Sequence, residues 1–83
     1  MNRDFVLFHL REALEKIQRT IKEIERDAEY EDGDLMPAMT HLYEHVNTAW
    51  NARDASQEKA EACSEEDFAA WNQFPADLPI GSS

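Results

Sequence analysis

The stretch LFHLREALEKIQRTIKEIERDA, residues 7–28, decides the fold because its apolar residues recur at alternating steps of three and four. They are Leu7, Leu10, Leu14, Ile17, Ile21, Ile24 and Ala28. This heptad spacing places them along one side of an α-helix. Oppositely charged residues four apart, such as Glu15 and Arg19, add a few tenths of a kcal/mol per pair. We therefore predict a first helix from about residue 4 to residue 28.

A second apolar pattern follows after a short break and predicts a second helix from about residue 35 to residue 54. Its members step by four and three, and they are Leu35, Met39, Leu42, Val46 and Ala49. In the break, Gly33 is predicted to form the turn and Asp34 to cap the new helix. Pro37 is predicted to lie in the first turn of that helix. Two matched patterns joined by a short turn predict an antiparallel helical hairpin in which the patterns face each other.

The last third of the chain predicts a short third helix. Ser64 is a good N-cap for a helix over about residues 65–73, which would lay Phe68 and Trp71 across the hairpin. Residues 56–63 form either a turn or a short helix capped by Ser56. Leu78 and Ile80 are expected to dock, and residues 81–83 to form a flexible tail. The sequence thus predicts one all-α domain over residues 1–80.

The beginning of the first helix is too apolar for one partner helix to cover, so we predict a homodimer in which two hairpins form a four-helix bundle. The alternative is a monomer in which the third segment covers those residues. Candidates for the extra contact are Phe5, Val6, Phe8, Met36 and Met39.

Trp50 and Arg53 are also interface candidates, because these residue types are common anchors. A structural role is favoured, since Arg53 occupies the next position of the second apolar pattern. Its guanidinium is expected to stack on Trp50 or Trp71, or to pair with an acid of the third segment.

The charge is strongly uneven. The net charge is −10; residues 1–30 hold six basic and seven acidic residues, whereas residues 31–83 hold two basic and eleven acidic ones. Such a surface repels nucleic-acid phosphates and anionic membranes, and it suits a basic protein partner. Cys63 is the only cysteine, which excludes an internal disulfide and fits a reducing compartment. The apolar run near the start is too short for a signal peptide or a membrane span, so we expect a cytoplasmic protein.

The stretch HLYEH, residues 41–45, matches the H-x-x-E-H pattern in which two histidines bind zinc and a glutamate activates water. His41 and His45 share one face of a helix and could reach one ion. A catalytic zinc needs a third protein ligand, for which His9 or Glu12 is the candidate. We favour ordinary histidines on the flank of the helix, away from a pocket, and expect no cofactor, with zinc or another divalent transition metal as the alternative.

These observations leave three hypotheses for function. The leading one is a non-catalytic interaction or scaffold protein, because two apolar helices are present without a recognisable catalytic motif. The second is a metal-binding protein or small metal-dependent hydrolase that uses His41 and His45. The third is an acidic inhibitor or DNA mimic that occupies a basic site on a partner.

Overall fold

The computed structural model describes residues 1–79 and Gly81. These residues form four helices and no strand, which confirms the predicted all-α fold. The helices are α1 (Arg3–Arg26), α2 (Asp32–Asn51), α3 (Gln57–Ala62) and α4 (Glu65–Trp71). Ile80, Ser82 and Ser83 lie outside the described residues, and with them the predicted docking of Ile80 and most of the predicted tail.

The beginning of α1 is tied to the end of α2. The Asn2 side chain accepts a hydrogen bond from the backbone N–H of Phe5 at 3.1 Å, and so caps the helix. Its amide donates to the carbonyl of Ala55 at 3.1 Å, and its backbone N–H donates to the carbonyl of Arg53 at 2.6 Å. Asn2 therefore links the beginning of α1 to the residues that follow α2.

The turn between α1 and α2 ends earlier than predicted. The Asp34 carboxylate accepts a hydrogen bond from the backbone N–H of Glu31 at 3.0 Å, so α2 begins at Asp32. Two predictions are therefore wrong: Gly33 lies inside α2 instead of forming the turn, and Pro37 is the sixth helical residue. The reason is that Asp34 acts from inside the first turn, as an acceptor for the N–H before the helix, instead of capping it.

The two long helices pack against each other, but not through the predicted apolar pattern of α1. The buried residues at this contact are small: Ala13 is 4 % exposed, Ala38 6 % and Ala49 5 %. Alanines let two helices approach closely. At 100° per residue, Leu14 lies a quarter turn from Ala13 around the axis, so the larger side chains are displaced to the side of the contact.

A row of large aliphatic side chains on α1 is consequently left half exposed. We call it the aliphatic stripe; its six members are 41–52 % exposed, and they are Leu7, Leu10, Leu14, Ile17, Ile21 and Ile24. No large side chain of the described residues is fully buried. About half of the surface of these six side chains is therefore left outside the chain's own core.

An apolar groove of about 270 Å³ continues the aliphatic stripe between α1 and α2. Its walls are Val6, Leu10, Val46, Ala49 and Trp50, with Met1 and Arg53 at its edges. The Arg53 guanidinium carbon lies 3.8 Å from the centre of the Trp50 ring, and its Nη2 lies 3.9 Å from an Asp77 carboxylate oxygen. Both are contacts that the sequence suggested for Arg53. Large side chains of the two helices thus share one open side of the hairpin.

The smaller helices close the other side near the open end of the hairpin. Ser56 and Ser64 accept hydrogen bonds from backbone N–H groups at the starts of α3 and α4, so residues 57–62 are helical. Trp71 contacts Phe5, with ring centroids 5.7 Å apart. Phe68 is 46 % exposed, and its placement across the hairpin stays a prediction. The end of α4 reaches the hairpin through Trp71.

Two asparagines of α2 hold the last turn of α4. Asn47 is buried and donates its amide to the carbonyl of Asn72 at 2.9 Å. Asn51 donates to the carbonyls of Trp71 at 2.9 Å and Gln73 at 2.6 Å. These carbonyls lie at the end of α4, where no helical N–H remains to bind them. The two amides therefore hold the end of α4 against α2.

Replacing Ala13 with leucine tests the close helix contact. Ala13→Leu should lower the free energy of unfolding by about 1–3 kcal/mol, because a larger side chain forces the helices apart. Urea unfolding followed by circular dichroism measures the change. Ala69→Leu, on the exposed side of α4, is the matched control and should change it by less than about 0.5 kcal/mol. Equal effects of the two substitutions would contradict the proposed packing.

Replacing Asn51 with alanine tests the attachment of α4. Asn51→Ala removes the donor to two carbonyls and should cost about 1–3 kcal/mol. It should also move the fluorescence of Trp71 to longer wavelength as α4 detaches. Both the variant and its parent should carry Trp50→Phe, so that Trp71 is the fluorescent tryptophan that is observed. Gln57→Ala, which removes only an exposed side-chain hydrogen bond, is the control. An unchanged Trp71 spectrum would show that α4 is held in another way.

Candidate functional site

Three histidines from two helices form a continuous row. His9 projects from α1 and His41 and His45 from α2. The Nδ1 atoms of His9 and His45 are 2.9 Å apart, and the Nε2 atoms of His45 and His41 are 3.1 Å apart. His45 therefore lies between the other two imidazoles and uses a different ring nitrogen towards each. The structure brings together the two histidines of the H-x-x-E-H pattern and His9.

Each contact in this histidine row can hold only one proton. A neutral imidazole has one N–H donor and one nitrogen acceptor. If His45 donates a hydrogen bond from Nδ1 to His9, its Nε2 accepts a hydrogen bond from His41. If His45 donates from Nε2 to His41, its Nδ1 accepts from His9. The proton positions on the three rings are therefore coupled through His45.

His9 is enclosed more than its neighbours in the row. The edges of Phe5 and Phe8 lie against it, with ring centroids 4.6 and 5.1 Å away. Burial, and then the nearby His45, lower the pKa of His9 to about 4. Partial burial and then His41 lower the pKa of His45, while the charges of Glu12 and Glu44 oppose that change. His41 itself is exposed. The row thus runs from an apolar interior to solvent.

The carboxylates near the histidine row do not complete a metal-binding cluster. Glu12 and His41 line a small cleft of about 40 Å³. Within residues 1–79 and 81, no three or more side chains of histidine, cysteine, aspartate or glutamate are arranged to hold a metal ion. A third protein ligand, for which the sequence suggested His9 or Glu12, is therefore absent from this arrangement of the described residues. His45 turns Nδ1 to His9 and Nε2 to His41, so all three rings cannot share one ion.

The residues suggested as interface candidates lie at several places rather than on one surface. Phe5 is half buried against Trp71. Val6, Trp50 and Arg53 line the apolar groove, while Phe8 is 51 % exposed beyond His9. These positions share no single patch.

Met36 and Met39 line another groove, of about 420 Å³, with Tyr43 and Phe74. The rings of Tyr43 and Phe74 meet edge to face, with centroids 5.1 Å apart. Met36 is 68 % and Phe74 66 % exposed. This groove lies between α2 and the segment after α4.

Some important residues had only weak signals in the sequence. The pairing of His9 with His45 depends on which side of α1 faces α2, and the heptad pattern suggested a different side. Asn47 and Asn51 recur four residues apart on α2, which indicates one face but not a partner. Cys63, the single cysteine of the chain, is exposed at the end of α3 with φ 40°.

The comparisons with known proteins add no assignment: no family model, curated protein or solved structure matches this chain. None of the helices in the described part of the chain has the length and apolarity required to cross a membrane.

The buried state of His9 predicts how stability depends on pH in metal-free solution. His9 stays neutral in the folded chain down to a pKa of about 4, whereas in the unfolded chain it binds a proton at its ordinary value of 6.5. The unfolded state therefore holds more protons between these values, and the free energy of unfolding falls as pH is lowered from about 6.5 to 4. Solvent at the open side of the ring limits the loss to about 1 kcal/mol.

Urea unfolding at several pH values between 7.5 and 4, with a chelator present, measures this dependence. His9→Asn is the control, because asparagine does not titrate. The difference in unfolding free energy between the two chains should change with pH within this window and stay constant above pH 7. A constant difference throughout would show that His9 titrates normally in the folded chain.

Proposed function

We propose that this protein is a non-catalytic interaction module that acts as a homodimer, with the aliphatic stripes of two hairpins forming the centre of a four-helix bundle. The observation that carries the proposal is the exposure of six leucine and isoleucine side chains, 41–52 % each. Scattered exposed leucines are ordinary on a protein surface, but a continuous row is characteristic of a contact surface. Burying the exposed half of each of these side chains in a dimer contact would contribute about 1 kcal/mol to the stability of the dimer.

The small core of a single chain favours a second copy as the occupant. Within residues 1–79 and 81, the buried apolar residues are four alanines, at positions 13, 38, 49 and 52. Burial of large side chains is the main source of stability in a domain, and chains of this size commonly gain it through oligomerisation. A second hairpin supplies the same aliphatic side chains in the same heptad spacing, so the two surfaces are complementary by symmetry.

The size of the open side is suitable for a stable dimer. α1 has 24 residues and is therefore about 36 Å long, and two adjacent helices are about 20 Å wide. The resulting surface of about 700 Å² is close to the roughly 800 Å² that each partner buries in a standard interface. The aliphatic stripe and the apolar groove together extend over this side of the hairpin.

The charge distribution permits this dimer in spite of the acidic composition. The chain has a net charge of −10, but residues 1–30 contribute six basic and seven acidic residues. Two copies that meet through α1 therefore bring nearly neutral segments together. The acidic part of each chain, beyond residue 30, contributes mainly to the outside of the pair. A basic partner protein would bind there rather than to the stripe.

The mass in solution tests the proposal. At about 100 µM the protein should be a dimer by light scattering, and salt should strengthen the dimer because it screens repulsion between two acidic chains. A double substitution in the stripe, Leu14→Glu with Ile21→Glu, should give a monomer, because both sites are already half exposed in one chain and the glutamates interrupt only the apolar contact.

Phe8→Glu with Met36→Glu is the matched control. It adds the same charge at two apolar residues that are 51 % and 68 % exposed but lie off the stripe, and the dimer should remain. A monomeric parent protein would overturn the proposal. So would a control pair that dissociates the dimer when the stripe pair does not, because that result would place the contact at Phe8 and Met36.

A further inference from the structure

The outer half of the histidine row has the geometry of a chelating pair. The Nε2 atoms of His41 and His45 are 3.1 Å apart, and imidazole nitrogen binds zinc at 2.0–2.1 Å. If one ion lay at that distance from both nitrogens, the nitrogen–metal–nitrogen angle would be about 100°. This value lies between the ideal octahedral and tetrahedral angles. The two side chains are one helical turn apart, so the α2 backbone fixes this spacing.

We propose that His41 and His45 bind one divalent transition-metal ion through their Nε2 atoms, with water completing its coordination, and that His9 positions His45 for this role. The proposal uses two protein ligands, in keeping with the absence of a three-residue cluster in the described residues. Because water occupies the remaining coordination positions of the ion, the proposed site is open to further ligands. Imidazole nitrogen selects zinc, nickel or copper ions over magnesium or calcium, which require oxygen ligands.

His9 acts on the ion through His45. When His45 binds a metal by Nε2, its proton must be on Nδ1, and that atom lies 2.9 Å from Nδ1 of His9. His9 can then accept a hydrogen bond from this N–H, as the partner of a metal-bound histidine commonly does, and so fixes both the tautomer and the ring orientation. The apolar contacts of Phe5 and Phe8 with His9 keep the acceptor in place.

Charged side chains of both signs surround His41. Glu12 and Glu15 line the cleft beside it, together with Lys16 and Arg19, so the formal charges of the cleft cancel. Arg19 is paired with Glu15 at 2.8 Å, while the carboxylates of Glu12 and Glu44 act by their charge on His45, in the direction that favours a cation there. His41 is exposed, which gives an ion direct access from solvent. Glu12 influences the site by its charge, without being a ligand in the proposal.

The proposed metal site is independent of the proposed dimer. At 100° per residue, His9 and Leu14 lie about 140° apart around α1, so the histidine row and the aliphatic stripe occupy different sides of the hairpin. The site should therefore remain accessible in the dimer and bind one ion per chain in either state. Failure of one proposal would leave the other unaffected.

Calorimetric titration of the untagged, full chain with Zn²⁺, Ni²⁺ and Cu²⁺ at pH 7.5 tests the ligands. We expect saturable binding of one ion per chain, with copper tightest. His41→Ala and His45→Ala should each abolish it, with an unchanged helical circular-dichroism spectrum as evidence of folding. Glu44→Gln, within the same H-x-x-E-H stretch, is the control and should keep one ion per chain. Retention of binding after both histidine substitutions, or failure of the parent protein to bind any of the three ions, would overturn the proposal.

Two substitutions at His9 test the positioning role. His9→Ala should weaken metal affinity by about 10–100-fold, the usual cost of losing such a partner. His9→Asn should restore most of it, because the asparagine oxygen can accept a hydrogen bond near the position of Nδ1. Nitrogen NMR of the imidazoles should show His45 with its proton on Nδ1 once Zn²⁺ is bound. Equal affinities of the alanine and asparagine variants would contradict the positioning role.

Discussion

The contact of α1 with α2 through alanines determines where the larger side chains of this protein lie. Ala13 on α1 meets a side of α2 on which Ala38 and Ala49 are buried. Small residues at a helix contact allow the helix axes to come close. The aliphatic stripe lies beside the buried Ala13 on α1 and is half exposed in the single chain.

The same contact gives the hairpin two chemically different sides. The aliphatic stripe and the apolar groove occupy one side, with leucine, isoleucine and valine as the main residue types. The histidine row and the attachment of α4 occupy the other. Polar groups there are largely paired: buried side-chain nitrogen and oxygen atoms of the described residues all have hydrogen-bond partners. The proposed self-association and the proposed metal binding thus use different chemistry on separate sides of one pair of helices.

The sequence predicted the elements better than their contacts. The alternating steps of three and four in residues 7–28 predicted the first helix correctly, because the spacing of apolar residues shows which of them share one side of a helix. Spacing does not report which side meets α2. That choice depends on Ala13, a single small residue that carries little weight in an apolar pattern, and on the fit of His9 against His45. The expected facing of two heptad patterns was wrong for this reason.

Individual side chains explain the other differences in the same way. Glycine and proline in the stretch EYEDGDLMP suggested a turn at Gly33, but the carboxylate of Asp34 binds the N–H of Glu31 and starts α2 earlier. The histidine pattern at residues 41–45 was evident in the sequence, whereas the contribution of His9 from another helix depended on the packing. The role of Asn47 and Asn51 depends on the carbonyls at the end of α4 that accept their hydrogen bonds, and the sequence of α2 alone does not indicate these partners.

The early start of α2 has a consequence for the way this helix opens. Pro37 has no N–H, so the carbonyl of Gly33, one turn earlier, receives no helical bond from it. The first turn of α2 is therefore coupled to the remainder by fewer backbone bonds than any later turn. We therefore expect residues 32–36 to be the part of α2 that opens first on heating, ahead of the helix that follows Pro37.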